Sequence, residues 1–533
     1  MKKDTALTVG ESLVHLLEQY GIETVFGIPG THSIELYRGL ASSRIRHVNP
    51  RHEQGAGFMA DGYARTVGKP AACFVITGPG VTNLSTAIGE AYMDSAPMLI
   101  VSPVNEPVND GINHGRLHEI TNQEAVTRPL CALSMTATKQ SDIPDFVHQA
   151  FELFATQNPR PVHLHIPLGL IRQTATDQWK AKPVPQAAEA TESQLNQTAA
   201  LIDEADRPVL IVGGGASHAS TEVQALADRA GIIVLTTVAG RGIVTGENRL
   251  GVGAQLRAPY VQDILTSADL IVFAGTEFGQ TDHWNDDLAL THNQVWINLD
   301  ADCPARSDRS ILLQADARKV LAGLIGKAGQ NPTRKAELEA LCESARKHHA
   351  KDMSRKERRH WDALVSIQNA LPANVIVTSD MTQIAYTAVD YLPLSSPRSW
   401  HHPTGYGTLG YGLPAAIGAA LSSPDRPVVC IVGDAGLQYT LPEMGLATEL
   451  NLNITILLWN NDALQQIRDD MDNAQIDPIG VSQKNPDFSA LAMAYHWDYR
   501  NISDSSQITP EIAAAIQSDG PTLVELHETV VSN

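Results

Sequence analysis

Residues 427–436, PVVCIVGDAG, decide the fold of this chain. The apolar run reads as a buried strand, and the turn Gly433-Asp434-Ala435-Gly436 leads into a helix. A second apolar run at 454–459 ends in Asn460-Asn461-Asp462-Ala463. Because Asp434 and Asn461 are 27 positions apart, one helix and one strand fit between them. The two turns are therefore expected at the same edge of a parallel sheet, where α/β folds bind ligands.

The residues of these two turns have the chemistry of a metal and phosphate site. Carboxylate, amide and backbone carbonyl oxygens suit Mg²⁺, which usually shares its coordination with phosphates. Gly433 and Gly436 allow backbone N–H groups to approach a diphosphate at a helix N-terminus. Gly, Asp and Asn are also common in ordinary turns, so each half alone is a weak signal. Both halves at this spacing, each after a strand, favour the metal and diphosphate site.

The alternation of strand and helix extends along the whole chain. Residues 8–20 predict a helix, and residues 55–67 predict another with small and apolar residues at i, i+3 and i+4 spacing. Strands are predicted at 24–26, 72–76, 98–101, 162–166, 208–212, 232–235, 270–274, 295–299, 375–378, 428–432, 454–459 and 522–526. The pattern indicates an α/β protein whose parallel sheets are covered on both faces.

Two changes in this pattern divide the chain. Residues 181–192 are rich in Pro and Ala, and residues 335–359 are charged and helical without a strand pattern. We therefore predict three doubly wound, parallel-sheet domains at 1–185, 190–335 and 355–533, each near the usual domain size.

The composition excludes several classes of function. The 533 residues carry 39 Lys and Arg against 59 Asp and Glu, and this net charge of −20 argues against a nucleic-acid partner. Five scattered cysteines without a CxxC pair argue against a disulfide framework and a structural zinc site. No apolar run approaches the roughly 20 residues of a membrane span, and no secretory leader pattern is visible. We expect a cytoplasmic protein with no membrane partner.

Gly433-Asp434 followed by Asn460-Asn461 resembles the signature of thiamine-diphosphate-dependent enzymes. In that family the Asp, the second Asn and the backbone carbonyl two residues later bind Mg²⁺. The resemblance assigns these metal ligands to Asp434, Asn461 and Ala463. Ala435 stands where the family usually has Gly, a change that costs little if this residue has a negative φ.

Further segments extend the resemblance to the full length of the chain. Residues 26–30, 51–56, 60–65 and 77–83 resemble the family's pyrimidine-binding domain, and residues 405–416 resemble the loop that holds the bent cofactor. The chain is thus similar to the acetolactate synthase and 2-oxo acid decarboxylase branch. The implied domain order is pyrimidine-binding, central Rossmann-like and diphosphate-binding. The implied cofactor contacts are Gly30, Glu53, Gly78, Pro79, Asn83, Gly407, Leu409, Gly433, Asp434, Ala435, Gly436, Asn461 and Leu464.

The resemblance also implies catalytic roles. Glu53 matches the glutamate that hydrogen-bonds N1′ of the aminopyrimidine and so favours removal of the thiazolium C2 proton. Leu409 matches the bulky apolar residue that bends the cofactor. His32 follows a loop that faces the cofactor, and His118 matches an active-site glutamine of acetolactate synthases. A lone histidine is more often structural, but either of these is a candidate to carry a proton near neutral pH.

Residues after Asn461 bear on the substrate. Gln466 and Asp470 stand where acetolactate synthases have Met and Trp, and this more polar pocket suits a polar or cationic 2-oxo acid. Thr31 and Ile467 are expected beside it.

The N-terminal block and residues 433–442 resemble decarboxylases of 5-guanidino-2-oxopentanoate, which act in arginine transamination catabolism. The implied products are 4-guanidinobutanal and CO₂. A buried guanidinium needs a carboxylate partner, for which Asp469, Asp470 and Glu106 are candidates.

Several alternatives stay open at this point. They are a carboligase of pyruvate like acetolactate synthase, a non-catalytic homologue, and a nicotinamide dehydrogenase using the loop Gly213-Gly214-Gly215. That loop lacks the GxGxxG pattern because His218 takes the last position. Binding of FAD or of an adenine nucleotide by the central domain also stays open. The family resemblance implies a homo-oligomer in which one subunit's pyrimidine domain faces its partner's diphosphate domain, with a dimer as the minimal active unit and a tetramer common.

Overall fold

A computed structural model describes residues 6–106, 114–245, 250–290, 293–301 and 309–531. These residues form three six-stranded sheets in which every ladder between strands is parallel. Helices alternate with the strands, so the predicted α/β class with doubly wound parallel sheets is confirmed. None of the helices described is both long and apolar enough to cross a bilayer. The domain boundaries at 1–185, 190–335 and 355–533 stay a prediction.

The first sheet has the strand order β2-β1-β3-β4-β6-β5. Its strands are β1 (Thr24–Phe26), β2 (Arg46–Val48), β3 (Ala71–Phe74), β4 (Met98–Val104), β5 (Leu133–Thr136) and β6 (Val162–Pro167). The helices around it are α1 (Val9–Gln19), α2 (Ile34–Leu40), α3 (Glu53–Val67), α4 (Pro79–Met93), α5 (Gln123–Thr127), α6 (Asp142–Thr156) and α7 (Leu168–Ile171), with a 3₁₀ turn at Arg128–Leu130.

The second sheet has the order β12-β11-β10-β7-β8-β9. Its strands are β7 (Pro208–Val212), β8 (Ile233–Thr236), β9 (Gly251–Gly253), β10 (Leu270–Ala274), β11 (Asn293–Asn298) and β12 (Ser310–Gln314). Its helices are α8 (Glu192–Glu204), α9 (Ser220–Ala230), α10 (Pro259–Ser267), α11 (Gln280–His283) and α12 (Ala317–Ile325), with a 3₁₀ turn at Gly214–Ala216.

Two helices, α13 (Pro332–Asp352) and α14 (Arg355–Ala370), lead into the third sheet, whose order is β14-β13-β15-β16-β18-β17. Its strands are β13 (Ile376–Ser379), β14 (Trp400–His401), β15 (Val428–Gly433), β16 (Ile454–Asn460), β17 (Asp498–Ile502) and β18 (Thr522–His527). Its helices are α15 (Gln383–Tyr391), α16 (Gly412–Ser422), α17 (Asp434–Tyr439), α18 (Glu443–Glu449), α19 (Gln465–Asn473), α20 (Phe488–Ala494) and α21 (Ile508–Ile516), with 3₁₀ turns at Ser505–Gln507 and Glu528–Val531.

Helix α3 joins the first and third parts of the chain. It begins after His52, whose Nδ1 accepts a hydrogen bond from the Gln54 N–H at 3.1 Å, and it ends at Gly68, which has the left-handed φ of 72° common at helix ends. Its middle packs against α16 so closely that a Cβ at residue 62 would lie 2.3 Å from the Ala415 carbonyl oxygen. Apolar residues of both helices share one core, which fixes the N-terminal and C-terminal sheets relative to each other.

Candidate functional site

The two turns that decided the fold lie side by side. Strands β15 and β16 pair with Gly433 opposite Trp459, so Asp434 and Asn461 follow neighbouring strand ends. Asp434 is the first residue of α17 and is only 2% exposed. Burial raises the pKa of its carboxyl group, and a hydrogen bond from Asn485 opposes that shift. A nearly buried carboxylate at the C-terminal edge of a sheet needs a positive partner.

Oxygens from both turns converge on one point. The amide nitrogen of Asn485 lies 2.6 Å from Asp434 Oδ2, 3.1 Å from Asn460 Oδ1 and 3.0 Å from Asp462 Oδ1. An amide nitrogen has only two hydrogens to give to these three acceptors. The cluster is therefore rich in hard oxygen ligands. Sequence reasoning missed Asn485, because its place depends on a loop that follows the motif by more than 20 residues and carries no pattern of its own.

The turn after β16, which contains the predicted metal ligand Ala463 and the predicted cofactor contact Leu464, is held by residues 481 and 482. Ala463 pairs with Ser482 in an antiparallel bridge, and the Leu464 N–H donates to the Val481 carbonyl at 2.9 Å. Ala435 lies within α17 and is not among the described residues with positive φ, so alanine fits where the family usually has glycine.

The donor chemistry of this edge fits magnesium bound together with a diphosphate. Mg²⁺ prefers oxygen ligands and is commonly held by one or two carboxylates with the rest supplied by phosphates and water. Within the described ranges, no group of three or more His, Cys, Asp or Glu side chains is placed to hold a metal. The carboxylate, amide and carbonyl oxygens of these turns would leave coordination positions for a ligand's phosphates.

The glycine-rich loop between β14 and α16 is held against this edge. Gly407 and Gly410 have φ of 71° and 83°, and Leu409, which is half-buried, lies between them. The Gly410 N–H donates to Asp380 Oδ2 at 2.8 Å, and Thr440 Oγ1 donates to the Gly410 carbonyl at 2.8 Å. The loop conformation is thus fixed from both sides by the third sheet.

Glu53 lies at the C-terminal edge of the first sheet. It follows β2, opens α3 and is 9% exposed. Its Oε2 accepts a hydrogen bond from Asn83 Nδ2 at 2.9 Å, and Asn83 lies on α4. The structure therefore brings these two predicted residues into direct contact.

The turn before α4 lies at the same edge. Gly78 has a φ of 69°, and a Cβ there would lie 2.4 Å from the His118 carbonyl oxygen, while Pro79 is the first residue of α4. The Gly78 N–H donates to Gln123 Oε1 at 2.8 Å. Gln123 is buried, and its amide also donates to Ser102 Oγ at 3.0 Å. Sequence reasoning did not identify Gln123, which binds the N–H group of Gly78.

Two predicted histidines face each other at this edge. His32 lies with Gly30 and Thr31 on the loop between β1 and α2, and its ring is 5.3 Å from that of His118, at 71°. The Nδ1 atoms of His32 and His118 are buried and have no hydrogen-bond partner among the described residues. Burial, followed by the charges of His118 and Arg172, lowers the pKa of His32. The unpartnered Nδ1 atoms of the two rings are available to hold a proton or a substrate oxygen.

The predicted substrate residues Gln466, Ile467 and Asp470 lie on α19. Gln466 Nε2 donates to Asp470 Oδ1 at 3.0 Å, and Asp470 is exposed. Asp469 is already engaged, because its Oδ2 lies 2.6 Å from Lys356 Nζ and 2.9 Å from Gln383 Nε2. The helix thus offers Asp470 as a carboxylate without a cationic partner among its described contacts.

A cavity of about 600 Å³ lies where the three parts of the chain meet. Its walls include strand ends of the second sheet at Gly215, Thr237, Gly275 and Asn298, together with Arg398. Its place at the C-terminal edge of a doubly wound sheet leaves FAD or an adenine nucleotide open for this part of the molecule.

Comparison with known proteins agrees with this geometry. Three family models match the chain: the N-terminal TPP binding domain of thiamine pyrophosphate enzymes at residues 7–126, their central domain at 195–324 and their C-terminal TPP binding domain at 380–526.

Among similar proteins, the probable 2-ketoarginine decarboxylase of Pseudomonas aeruginosa is 43% identical over 99% of this chain and 95% of its own. Acetolactate synthase isozyme 1 large subunit of Escherichia coli is 34% identical over 86% of this chain and 82% of its own. Acetolactate synthase large subunit of Parasynechococcus marenigrum is 30% identical over 97% and 86%. The chain belongs to the family of thiamine pyrophosphate enzymes.

Proposed function

We propose that this protein is a Mg²⁺- and thiamine-diphosphate-dependent decarboxylase of 5-guanidino-2-oxopentanoate, with 4-guanidinobutanal and CO₂ as products. The observation that carries the proposal is the presence, at equivalent edges of two sheets, of a buried, Asn83-bound Glu53 and an oxygen-rich cluster around Asp434. Similarity to the probable 2-ketoarginine decarboxylase supports the substrate, since 2-ketoarginine is the same compound as 5-guanidino-2-oxopentanoate. Arginine catabolism is the corresponding setting.

Each half of the site has a separate task in this proposal. Asp434, Asn461 and the Ala463 carbonyl hold Mg²⁺, and Gly433, Ala435, Gly436 and Leu464 border the diphosphate. Bound thiamine diphosphate supplies a carbon nucleophile and an electron sink for the departing CO₂. Mg²⁺ held there with the diphosphate would fix the position of the cofactor, and so of its nucleophilic carbon, without itself taking part in the bond changes.

Glu53 carries the proton that activates the site. Its carboxyl group hydrogen-bonds the aminopyrimidine N1′ and holds a proton at that nitrogen. Asn83 fixes the carboxylate through Oε2, so the geometry of this hydrogen bond is set before any ligand enters. Gly30, Gly78, Pro79, Gly407 and Leu409 border the same ring.

His32 and His118 move a proton at the substrate. Their buried Nδ1 atoms lack partners among the described residues, which leaves a hydrogen-bond donor or acceptor free on each ring. The lowered pKa of His32 keeps this ring neutral at physiological pH, so it accepts a proton more readily than it donates one.

Asp470 is the proposed partner of the substrate guanidinium. Of the three candidate carboxylates, Asp469 pairs with Lys356, and Glu106 accepts a hydrogen bond from the Gly169 N–H. Asp470 is exposed and hydrogen-bonds Gln466, a neutral side chain. A carboxylate in this state can receive the two parallel N–H groups of a guanidinium. Thr31 and Ile467 would border the substrate chain.

A carboligase that acts on pyruvate is the second candidate. Two of the similar proteins are acetolactate synthases at 34% and 30% identity. The polar pair Gln466 and Asp470 favours decarboxylation of a cationic substrate instead, because an acidic pocket gives no benefit to a methyl side chain.

The dimer as minimal active unit, the tetramer and the domain division at 1–185, 190–335 and 355–533 are part of the proposal. They rest on the family resemblance and on the separation of the two halves on different sheets. A cytoplasmic location is supported by the described cysteines, Cys73, Cys131, Cys342 and Cys430, which are buried and unpaired.

A panel of 2-oxo acids tests the proposal. Purified protein with Mg²⁺ and thiamine diphosphate is assayed for CO₂, for aldehyde and for acyloin with 5-guanidino-2-oxopentanoate, 2-oxopentanoate and pyruvate. The expected result is CO₂ with 4-guanidinobutanal, and a strong preference over 2-oxopentanoate, which has the same chain length without the cation. A C–C bonded product from pyruvate would instead establish the carboligase. No turnover of any 2-oxo acid would indicate a non-catalytic homologue.

A further inference from the structure

Glu443, on the C-terminal side of the chain, reaches the residues that precede Glu53. It is the first residue of α18 and is 1% exposed. Its Oε1 accepts hydrogen bonds from the backbone N–H groups of Arg51 at 3.0 Å and His52 at 3.1 Å. Its Oε2 is 3.2 Å from the Arg51 nitrogen. The carboxylate therefore binds the two residues immediately before α3.

A glycine in the first turn of α3 makes room for this contact. A Cβ at residue 55 would lie 2.5 Å from Glu443 Oε1 and 3.0 Å from its Cδ. No side chain at residue 55 is compatible with the present position of the carboxylate. The fit between α18 and the beginning of α3 thus depends on both Glu443 and Gly55.

The charge of the carboxylate suits this place. Unpaired N–H groups at a helix N-terminus carry partial positive charge and favour an anion. Burial works in the other direction and raises the pKa of Glu443 to about 7, while the two backbone hydrogen bonds and the Arg51 charge lower it. Burying a carboxyl group is costly, and the described hydrogen-bond partners of Glu443 are the backbone N–H groups of Arg51 and His52. A well-packed apolar residue could not bind these groups, so the carboxyl group has the role of positioning them.

We infer that Glu443 is a positioning residue for Glu53. By fixing the backbone of Arg51 and His52, it sets the position from which the Glu53 side chain extends toward the aminopyrimidine. Asn83 holds the carboxylate end of Glu53, and Glu443 holds the backbone end. The inference rests on the proposed function, in which Glu53 acts on bound thiamine diphosphate.

The same segment of chain also carries the metal site. Residues 434–443 run from Asp434, at the start of α17, to Glu443, at the start of α18. In the proposed dimer, where one subunit's pyrimidine domain faces its partner's diphosphate domain, this short segment links the Glu53 of one site to the diphosphate edge of the other. A displacement of Glu443 would displace the backbone before Glu53 through these hydrogen bonds, and a misplacement on the order of 1 Å can cost about 100-fold in rate.

Four variants test the inference. Glu443→Ala removes the acceptor, Gly55→Ala displaces it from the other side, and Glu443→Gln keeps an acceptor oxygen of the same shape. Glu449→Gln is the matched control, because Glu449 lies on the same helix and pairs with the Arg51 guanidinium at 2.5 Å, yet its side chain is 55% exposed. It removes a nearby carboxylate without touching the backbone of residues 51 and 52.

The first measurement uses cofactor-free protein. Amide hydrogen–deuterium exchange of a peptide over residues 50–58 reports the backbone contact directly. Glu443→Ala and Gly55→Ala are expected to exchange faster there than wild type, whereas Glu449→Gln and Glu443→Gln stay near wild type. Unchanged exchange in both alanine variants would overturn the inference.

The second measurement uses protein loaded with Mg²⁺ and thiamine diphosphate. The rate at which the cofactor C2 proton exchanges with D₂O, followed by NMR after acid quench, reports the action of Glu53. We expect a loss of about tenfold or more in Glu443→Ala and Gly55→Ala, with rescue by Glu443→Gln. Cofactor affinity, measured by calorimetry, is expected to change by less than about threefold. For comparison, a tenfold change in affinity corresponds to about 1.4 kcal/mol.

The outcomes separate this inference from the proposed function. Wild-type protein that does not accelerate C2 exchange over free cofactor would overturn the proposed function, and with it the role of Glu53. Acceleration in wild type with equal acceleration in folded Glu443→Ala would overturn the positioning role alone. A parallel loss of affinity and exchange would also overturn it, because that result indicates general disruption. If Glu443→Ala does not fold, Gly55→Ala and Glu443→Gln decide by the same criteria.

Discussion

The N-terminal and C-terminal sheets have the same architecture and different chemistry. Numbered within each sheet, both have the strand order 2-1-3-4-6-5, whereas the central sheet has 6-5-4-1-2-3. The loops at the N-terminal sheet's edge carry Glu53, which is bound by Asn83, and the facing rings of His32 and His118. The equivalent edge of the C-terminal sheet gathers the carboxylates of Asp434 and Asp462 and the amide oxygen of Asn460 around Asn485.

This difference shows that the sheet determines where a ligand can bind and that the loops determine what happens there. Carboxyl ends of parallel strands supply a common edge in both cases. The neighbours of the two predicted carboxylates differ: Glu53 accepts from the amide of Asn83, whereas Asp434 lies among other side-chain oxygens around Asn485. In the proposed function, the same residue type therefore serves proton transfer at one edge and metal binding at the other.

Replacing the carboxylate at the proton-transfer edge is expected to have the largest effect. Glu53→Gln keeps the size and a hydrogen bond but cannot give a proton to N1′, so turnover should fall by about 10²–10⁴-fold, the usual range for acid–base catalysis. Cofactor affinity, measured by calorimetry in magnesium buffer, should change little. Glu23→Gln, which changes an exposed carboxylate immediately before β1, is the control. Wild-type turnover in Glu53→Gln would remove the assigned difference between the edges.

The contact of Glu443 with the backbone of Arg51 and His52 should make the free energy of unfolding depend on pH. Burial raises the folded-state pKa of Glu443 to about 7, above its usual 4.5. The folded protein therefore binds more protons than the unfolded chain between pH 4.5 and about 7. The contribution of protonated Glu443 to the free energy of unfolding is fully present below pH 4.5 and is lost as the pH rises through about 7. The ceiling of this effect is about 3 kcal/mol, at about 1.4 kcal/mol per pKa unit.

Chemical unfolding of cofactor-free protein at several pH values between 5 and 8 measures this linkage. Glu443→Gln lacks the titrating group, so its free energy of unfolding should gain on wild type as the pH rises. Arg51 and Glu449 are the charged side chains beside this contact, and Glu449→Gln should follow wild type. A constant difference between Glu443→Gln and wild type across this range would contradict the expected titration.

Replacing the carboxylate at the metal-binding edge should affect binding first. Asp434→Asn removes the anionic ligand, and since changes around metal ligands already cost about 10–100-fold in affinity, a loss of at least this size is expected for Mg²⁺ with thiamine diphosphate. Asp425→Asn, an exposed change in the turn before β15, is the control. Full affinity with lost turnover in Asp434→Asn would assign proton chemistry to this edge as well and so end the contrast.

The sequence predicted the interior strands of every sheet and missed the edge strands. Each of the twelve predicted strands corresponds to an interior strand, because those are buried on both faces and read as continuous apolar runs. The six strands that escaped prediction are the edges: β2, β5, β9, β12, β14 and β17. They are short, or carry a mixture of exposed and buried residues, so their sequences resemble loops.

The site shows the same limit. Residues inside the two motifs were predicted because their spacing is fixed by one strand and one helix. Asn485 and Glu443 were not, since their roles come from contacts with segments far away in the chain: Glu443 binds His52 across 391 positions. No local pattern encodes such a contact. The choice of substrate is in the same class, because it depends on side chains that converge from separate elements.

Asp470 gives the finest test, because it concerns specificity and leaves the chemistry of both edges intact. Asp470→Asn keeps the hydrogen bond to Gln466 and removes the charge, so kcat/KM for 5-guanidino-2-oxopentanoate should fall by about tenfold, the value of one exposed charge-assisted hydrogen bond of about 1.5 kcal/mol. Activity on 2-oxopentanoate should stay the same or rise, since that substrate has no cation. Asp472→Asn, two positions further along α19 and exposed, is the matched control. An equal fall for both substrates would mean that Asp470 supports the site and does not read the guanidinium, and Glu106 or another carboxylate would then have to do so.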